Sequence, residues 1–221
     1  MTARRRFLGW FGASALLAAT GSPLAGVETR RRPPEPRSDE WDVSWTGRIT
    51  GKYKAVFDSP EFSEGAGVWR AVMWRDQHKE IYGTDPADMS AVLVIRHGAI
   101  ALAMGDAYWE QFRIGKELKM RNPQTRKWEV ANPLRTAAPD TPPRWAGYNI
   151  EAFQASGGIV LACNLAFGEV VWRYRQAEKL SREAARARAL EQLLPGIILQ
   201  PSGIFAALRA QEAGCAYIMA S

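Results

Sequence analysis

The sequence predicts an α/β protein, with a five-stranded parallel sheet in a three-layer α/β/α sandwich. The first observation behind this is order: short apolar runs of strand length alternate with helical stretches along the chain, as they do in βα units. The second is the character of those runs. "MSAVLVI" from position 89 and "GIVLAC" from position 158 are apolar almost throughout; an alternating run would mark a half-exposed strand, a continuous one marks burial on both faces. The third is size. A chain of 221 residues, 47% hydrophobic and 24% charged, supports one sizeable core of ordinary globular composition. Right-handed crossovers then set all the strand C-termini along one edge.

Element by element, "YKAVFDS" (53–59) reads as a strand ending in a polar turn. A helix follows from about Ser63 to Tyr82, with Val68, Trp69 and Val72 near helical spacing, and Gly83 and Pro86 stop it. The second strand covers 89–98. "MGDAYWEQFRIGKELKM" reads as one helix, with Tyr108, Phe112 and Leu118 on one side. Residues 121–146 break the rhythm and hold five of the 13 prolines, an insertion longer than loops usually run without a role of their own. A short helix at 149–156, a strand at 158–162 and a helical stretch from Asn164 to about Leu194, broken near Ser181, resume the pattern. "GIILQPS", "GIFAALRAQEAG" and "CAYIMA" close it as strand, helix and strand.

The N-terminus reads as an address. Arg4, Arg5 and Arg6 precede an apolar stretch from Phe7 to Ala19 and then small residues, the layout of a secretory signal. About 13 apolar residues fall short of the ~20 that cross a bilayer, so no stable membrane span is expected in the mature form. "RRRFLG" resembles the twin-arginine export consensus, which implies a periplasmic protein exported already folded. Segment 1–26 is assigned to this signal. Segment 27–51 is assigned to a linker rich in proline and charge, in which four arginines from Arg30 to Arg37 offset four acids from Glu28 to Glu40. The globular domain is assigned to 52–221. The net charge of +6 owes much to the three leading arginines. No basic patch interleaved with aromatics follows, so nucleic acid is not an expected partner.

In open α/β sheets, ligands bind outside the carboxyl ends of the strands. The residues placed there are Asp58 on the first strand, Arg96 and His97 on the second, Cys163 and Asn164 on the third, and Gln200 and Ser202 on the fourth. Cys163 stands at a helix N-terminus, whose partial positive charge favours thiolate over thiol. A thiolate is a nucleophile and a carrier of persulfide sulfur. A buried structural cysteine fits the position equally well. The other cysteine, Cys215, heads the last strand at the opposite edge of the sheet. Five strand residues separate the two edges by roughly 15 Å, beyond disulfide reach. His97 either assists the thiol or bonds a backbone carbonyl. Two histidines and two cysteines without paired spacing give no zinc site, and no other metal or cofactor is expected.

The stretch from about Lys52 to Ser221 resembles the DsrE/DsrF-like superfamily, in a branch with exported members. "GGIVLACNLAFG" is similar to that family's strand–cysteine–helix element, with Ala166 three residues after Cys163, and "LLPGIILQPSGIFAALRAQEAGCAYI" is similar to its closing strand, helix and strand. The resemblance implies a flavodoxin-like layered architecture and homo-oligomers. It also implies, in members that keep the cysteine, sulfur passed as a persulfide to or from a donor or acceptor protein; other members serve as structural or binding partners. Two departures stand against a full carry-over: the export signal, and the insertion at 121–146. The two functions expected are therefore a periplasmic sulfur carrier or thiol-dependent transferase using Cys163, and a non-catalytic module that binds a small ligand or assembles a larger complex.

Overall fold

The computed structural model describes residues 41–221. The expectations for the export signal and for the linker up to Glu40 lie outside the described residues. Five strands, β1 (Tyr53–Ser59), β2 (Met89–Ile95), β3 (Ile159–Cys163), β4 (Ile198–Gln200) and β5 (Ala216–Met219), form one sheet in the order β4-β3-β2-β1-β5. Every pairing is parallel. Among the described residues seven α-helices accompany it: α1 (Ala66–Tyr82), α2 (Asp106–Gln111), α3 (Ile114–Glu117), α4 (Ile150–Ala155), α5 (Asn164–Glu178), α6 (Arg182–Leu190) and α7 (Gly203–Glu212). With helices on both faces of the sheet, this is a three-layer α/β/α sandwich of the flavodoxin-like type. No helix among the described residues is long and apolar enough to cross a membrane.

The two faces are covered unequally, and the strand order explains why. From β1 to β4 the chain steps across the sheet in one direction, so right-handed crossovers put α1, α4 and α5 on the same face. The fourth connection returns across the whole sheet from β4 to β5, so α7 packs alone on the other face, over β1, β2 and β3. The core divides accordingly. Phe57, Leu93, Ile95, Val160 and Ala162 face the layer of α1, α4 and α5, while Val56, Val92, Val94, Ile159 and Leu161 face α7, as the two-residue period of a strand requires.

One helix cannot cover five strands. The second face is completed by a 3-10 turn at Ser44–Arg48, whose Trp45 is fully buried with Ile49 against Val56, Val94 and Leu161. This corrects the assignment of 27–51 to a solvated linker: the packed domain includes Trp45 and Ile49. The segment looks like linker because polar residues outnumber apolar ones, but two apolar residues four apart are enough to seat one helical turn.

Other boundaries also move. Ser63 and Glu64 take positive φ and α1 starts at Ala66. β2 ends at Ile95, and a 3-10 segment, His97–Ala103, buried from Ala99 onward, follows it. The single helix expected at 104–120 is two, α2 and α3, split at Arg113 (φ 53°). The strand expected at 158–162 runs from Ile159 to Cys163. The insertion at 121–146 is anchored by Asn132, whose amide donates to the carbonyls of Leu102 (2.9 Å) and Met104 (2.8 Å). Its Trp128 is covered by the Arg121 guanidinium, 3.7 Å from the ring centroid.

Candidate functional site

The point of greatest interest on the C-terminal rim follows from the connections. The chain leaves β3 for α5 on one face and leaves neighbouring β4 for α7 on the other. Adjacent strands whose loops part in opposite directions leave a crevice between them, the usual ligand position in open α/β sheets. Cys163 and Gln200, partners in register, are the last residues of these two strands. Cys163 and Gln200 thus stand side by side at this topological position, with Asn164 opening α5 and Ser202 capping α7.

Cys163 ends β3 and caps α5. Its backbone is extended (φ −74°, ψ 116°), and its Sγ accepts the amide N–H of Ala166 at 3.4 Å. A sulfur in this role takes the place of the usual serine or aspartate oxygen and meets the positive end of a 15-residue helix. The residue is 6% exposed. Cys215 is equally buried, but lies in the apolar layer under α7, where burial pushes its thiol up to about 11. Both thiols are free.

Gln200 is fully buried. Its Nε2 donates to the carbonyls of Asp42 (2.7 Å) and Leu199 (3.0 Å). The first bond straps the chain at Trp41–Asp42 across the crevice. Gln200 Oε1 and Asn164 Oδ1 are buried acceptors with no donor among the described residues. Ser202 caps α7, accepting the N–H of Phe205 at 3.0 Å.

Asp58 and Arg96 form a separate cluster. Asp58 is 2% exposed and accepts two bonds from Arg96, Nε to Oδ1 at 2.8 Å and Nη2 to Oδ2 at 2.9 Å. Tyr217 of β5 adds a third, its hydroxyl donating to Oδ2 at 2.6 Å. The carboxylate bonds raise the Arg96 guanidinium and the Tyr217 phenol above their ordinary ranges. The Arg96 side chain then crosses to α7, where a β-carbon on Gly203 would lie 2.5 Å from Arg96 Cδ. The Asp58 carboxylate is taken up by Arg96 and Tyr217, so the trio ties β1, β2 and β5 together beside α7. Sequence reasoning placed Asp58 and Arg96 on the rim as ligand contacts and did not single out Tyr217.

His97 makes no hydrogen bond with Cys163 among the described residues. Its imidazole is exposed, its φ is 47°, and its Nε2 lies 4.0 Å from Glu61 Oε1. The reason is local: β2 ends at Ile95, and the turn that starts the 3-10 segment points the side chain into solvent. Among the described residues, no three of His, Cys, Asp and Glu converge in a metal-binding group.

Two further cavities flank the rim region and the insertion. One, of about 460 Å³, is bounded by Trp41 and by residues of α5 and α6. The other, of about 480 Å³, is apolar and lies between Trp69, Leu134 and Trp145.

No protein-family model matches the chain, and no curated protein does. Among solved structures it is similar to a protein of unknown function, MTH1491, from Methanobacterium thermoautotrophicum. The match has 15% identity, covers 76% of this chain and 98% of that one, and has a TM-score of 0.38. A likeness that distant carries no argument about function.

Proposed function

We propose that this protein is a DsrE-like thiol carrier, working in the periplasm after twin-arginine export, in which Cys163 accepts and passes on sulfane sulfur. The observation that carries the reading is the capping bond: Sγ of Cys163 accepts the Ala166 N–H at the first turn of α5, in the crevice between β3 and β4. The bond and the helix end hold the sulfur at one fixed place at the start of α5. In the forward step the Cys163 thiolate attacks the outer sulfur of a donor persulfide. An S–S bond forms at Cys163, the donor's S–S bond breaks, and the donor thiolate leaves. Sulfane sulfur changes hands with no external oxidant or reductant.

Mass spectrometry of the native exported protein tests this. A gain of about 32 Da, one sulfur atom, is expected on the peptide that holds Cys163. In the folded protein near neutral pH, iodoacetamide is expected to label Cys163 faster than Cys215, whose burial keeps it protonated. Labelling of Cys163 only after unfolding would remove the carrier reading.

The second reading, an assembly module, is favoured by a different observation. β5 is an edge strand exposed along its whole length, with Tyr217, Ile218 and Met219 at 40%, 43% and 64%. Ile204 and Leu208, one turn apart on α7, are also exposed. An apolar edge of this kind is ordinarily paired or covered, and a second copy of the chain is the occupant that the family resemblance suggests. An inert Cys163 together with oligomers in sedimentation velocity would favour this reading.

A further inference from the structure

We propose that the cavity between the first turns of α5 and α6 binds a small organic anion: an oxyanion group on an apolar body that also carries a hydroxyl or N–H donor. This stands apart from the chemistry of Cys163 and does not need that thiol to react.

The charge comes from α6. Arg182 and Arg186 lie four residues apart, hence on one face of the helix, and both border the cavity. Neither has an ion-pair partner among the described residues, whereas Arg188 on the same helix is held by Glu178 (3.7 Å) and Glu191 (2.8 Å). Of the neighbouring acids, Glu169 pairs with Arg173, while Glu183, bonded to Ser181 and its own backbone, also feels the charge of Arg182 without forming an ion pair with it. Among the described residues, no carboxylate borders the cavity. Two planar guanidinium groups with no ion pair among the described residues, beside the positive end of α5, suit an oxyanion by charge and by hydrogen-bond geometry. Arg186 is steadied by Phe167, its guanidinium carbon 5.7 Å from the ring centroid.

The rest of the lining specifies the ligand's other parts. Trp41 and Val171 give an apolar wall. Asn164 also borders the cavity, and its Oδ1 has no donor among the described residues; a donor on the ligand that reached it would relieve a costly unpaired acceptor. Gly168 stands inside α5, where glycine costs about 0.5–1 kcal/mol relative to alanine. A β-carbon there would meet no atom within 4 Å, so packing does not demand the glycine; its effect is to leave the cavity open. At about 460 Å³ the space falls within the ordinary size of small-molecule sites, roughly 300–1,000 Å³.

Calorimetric titration of the full chain tests this with three probes. 4-Hydroxybenzoate and phenyl phosphate carry alternative oxyanions; 4-hydroxybenzyl alcohol is a neutral control. At least one anion is expected to bind saturably at millimolar concentration, with the alcohol at least about tenfold weaker. R182Q/R186Q is expected to lose roughly tenfold or more, and Gly168→Leu, which fills the cavity, to lose binding with no fall in melting temperature. Failure of both anions to saturate overturns the inference, as does equal binding by the alcohol or unaltered binding by the double variant. The mass of the Cys163 peptide from the same preparation separates the two proposals. Sulfur on Cys163 without anion binding overturns this one alone, and anion binding without sulfur overturns only the carrier reading.

Discussion

Asp58 shows how much one buried carboxylate can hold. It is almost wholly buried and takes two bonds from Arg96 and one from Tyr217, so removing the cation and removing the phenol hydroxyl should differ. Arg96→Ala leaves a buried charge without its counter-ion, which costs about 3–5 kcal/mol. Tyr217→Phe removes one of three bonds and should cost about 1 kcal/mol. Urea unfolding of the two variants checks this; equal small losses would mean that water reaches the carboxylate. The rim positions of Asp58 and Arg96 are legible in the sequence, because both follow apolar runs that can only be strands. Their mutual bonding is not: it depends on β1 and β2 being neighbours in register, which hydrophobic pattern does not encode. Nor does the pattern encode that β5 returns beside β1 and delivers Tyr217. His97 is a similar local case: β2 ends at Ile95, three residues before the end expected, and the turn that follows sets the imidazole in solvent.

Among the helices, two glycines give opposite expectations. A β-carbon at Gly115 in α3 would lie 2.1 Å from the Glu129 carbonyl oxygen, so α3 rests directly on the backbone of the insertion. Gly115→Ala must push these apart and should cost more than about 1 kcal/mol. Gly168→Ala in α5 meets nothing and should instead stabilise by about 0.5–1 kcal/mol. Thermal melts of the pair decide this. Loss of stability in both would mean that Gly168 lies against a neighbour. The long elements α1, α5 and α7 are legible because their apolar spacing and their flanking Gly, Pro or Ser agree. The division between α2 and α3 is not, because Arg113 takes a left-handed conformation that ordinary helix formers on either side conceal. The order in the insertion rests on Asn132 bonding two carbonyls thirty residues back, and no local pattern marks such a bond.

For the molecule as a whole, the uneven layers decide where the domain begins. α7 alone cannot cover the second face, and Trp45 fills what it leaves. A chain without residues 1–40 should melt as the parent does. A chain without 1–51 loses Trp45 and Ile49 and should lose about 3–5 kcal/mol, the usual cost of emptying a large core site. Differential scanning calorimetry separates the two, and equal melting of both truncated chains would return the boundary to Lys52. The continuous apolar runs announce a parallel sheet, but the asymmetry of its cover follows from strand order, which is why the 41–51 segment was misassigned from composition.

The position of β5 beside β1 also bears on how the chain reaches this state. The sheet from β4 to β1 grows by neighbouring additions, each bringing its own helix to the same side. β5 instead joins Ala55 to Ala216, closing nearly the full length of the domain, and α7 arrives with it. During synthesis, four strands can assemble while one side of the sheet still bears valine, isoleucine and leucine to water. Such a species is sticky, and closing so long a loop is slow. The nascent protein is therefore most vulnerable just before its final strand docks, the interval in which a chaperone has the most apolar surface to grip.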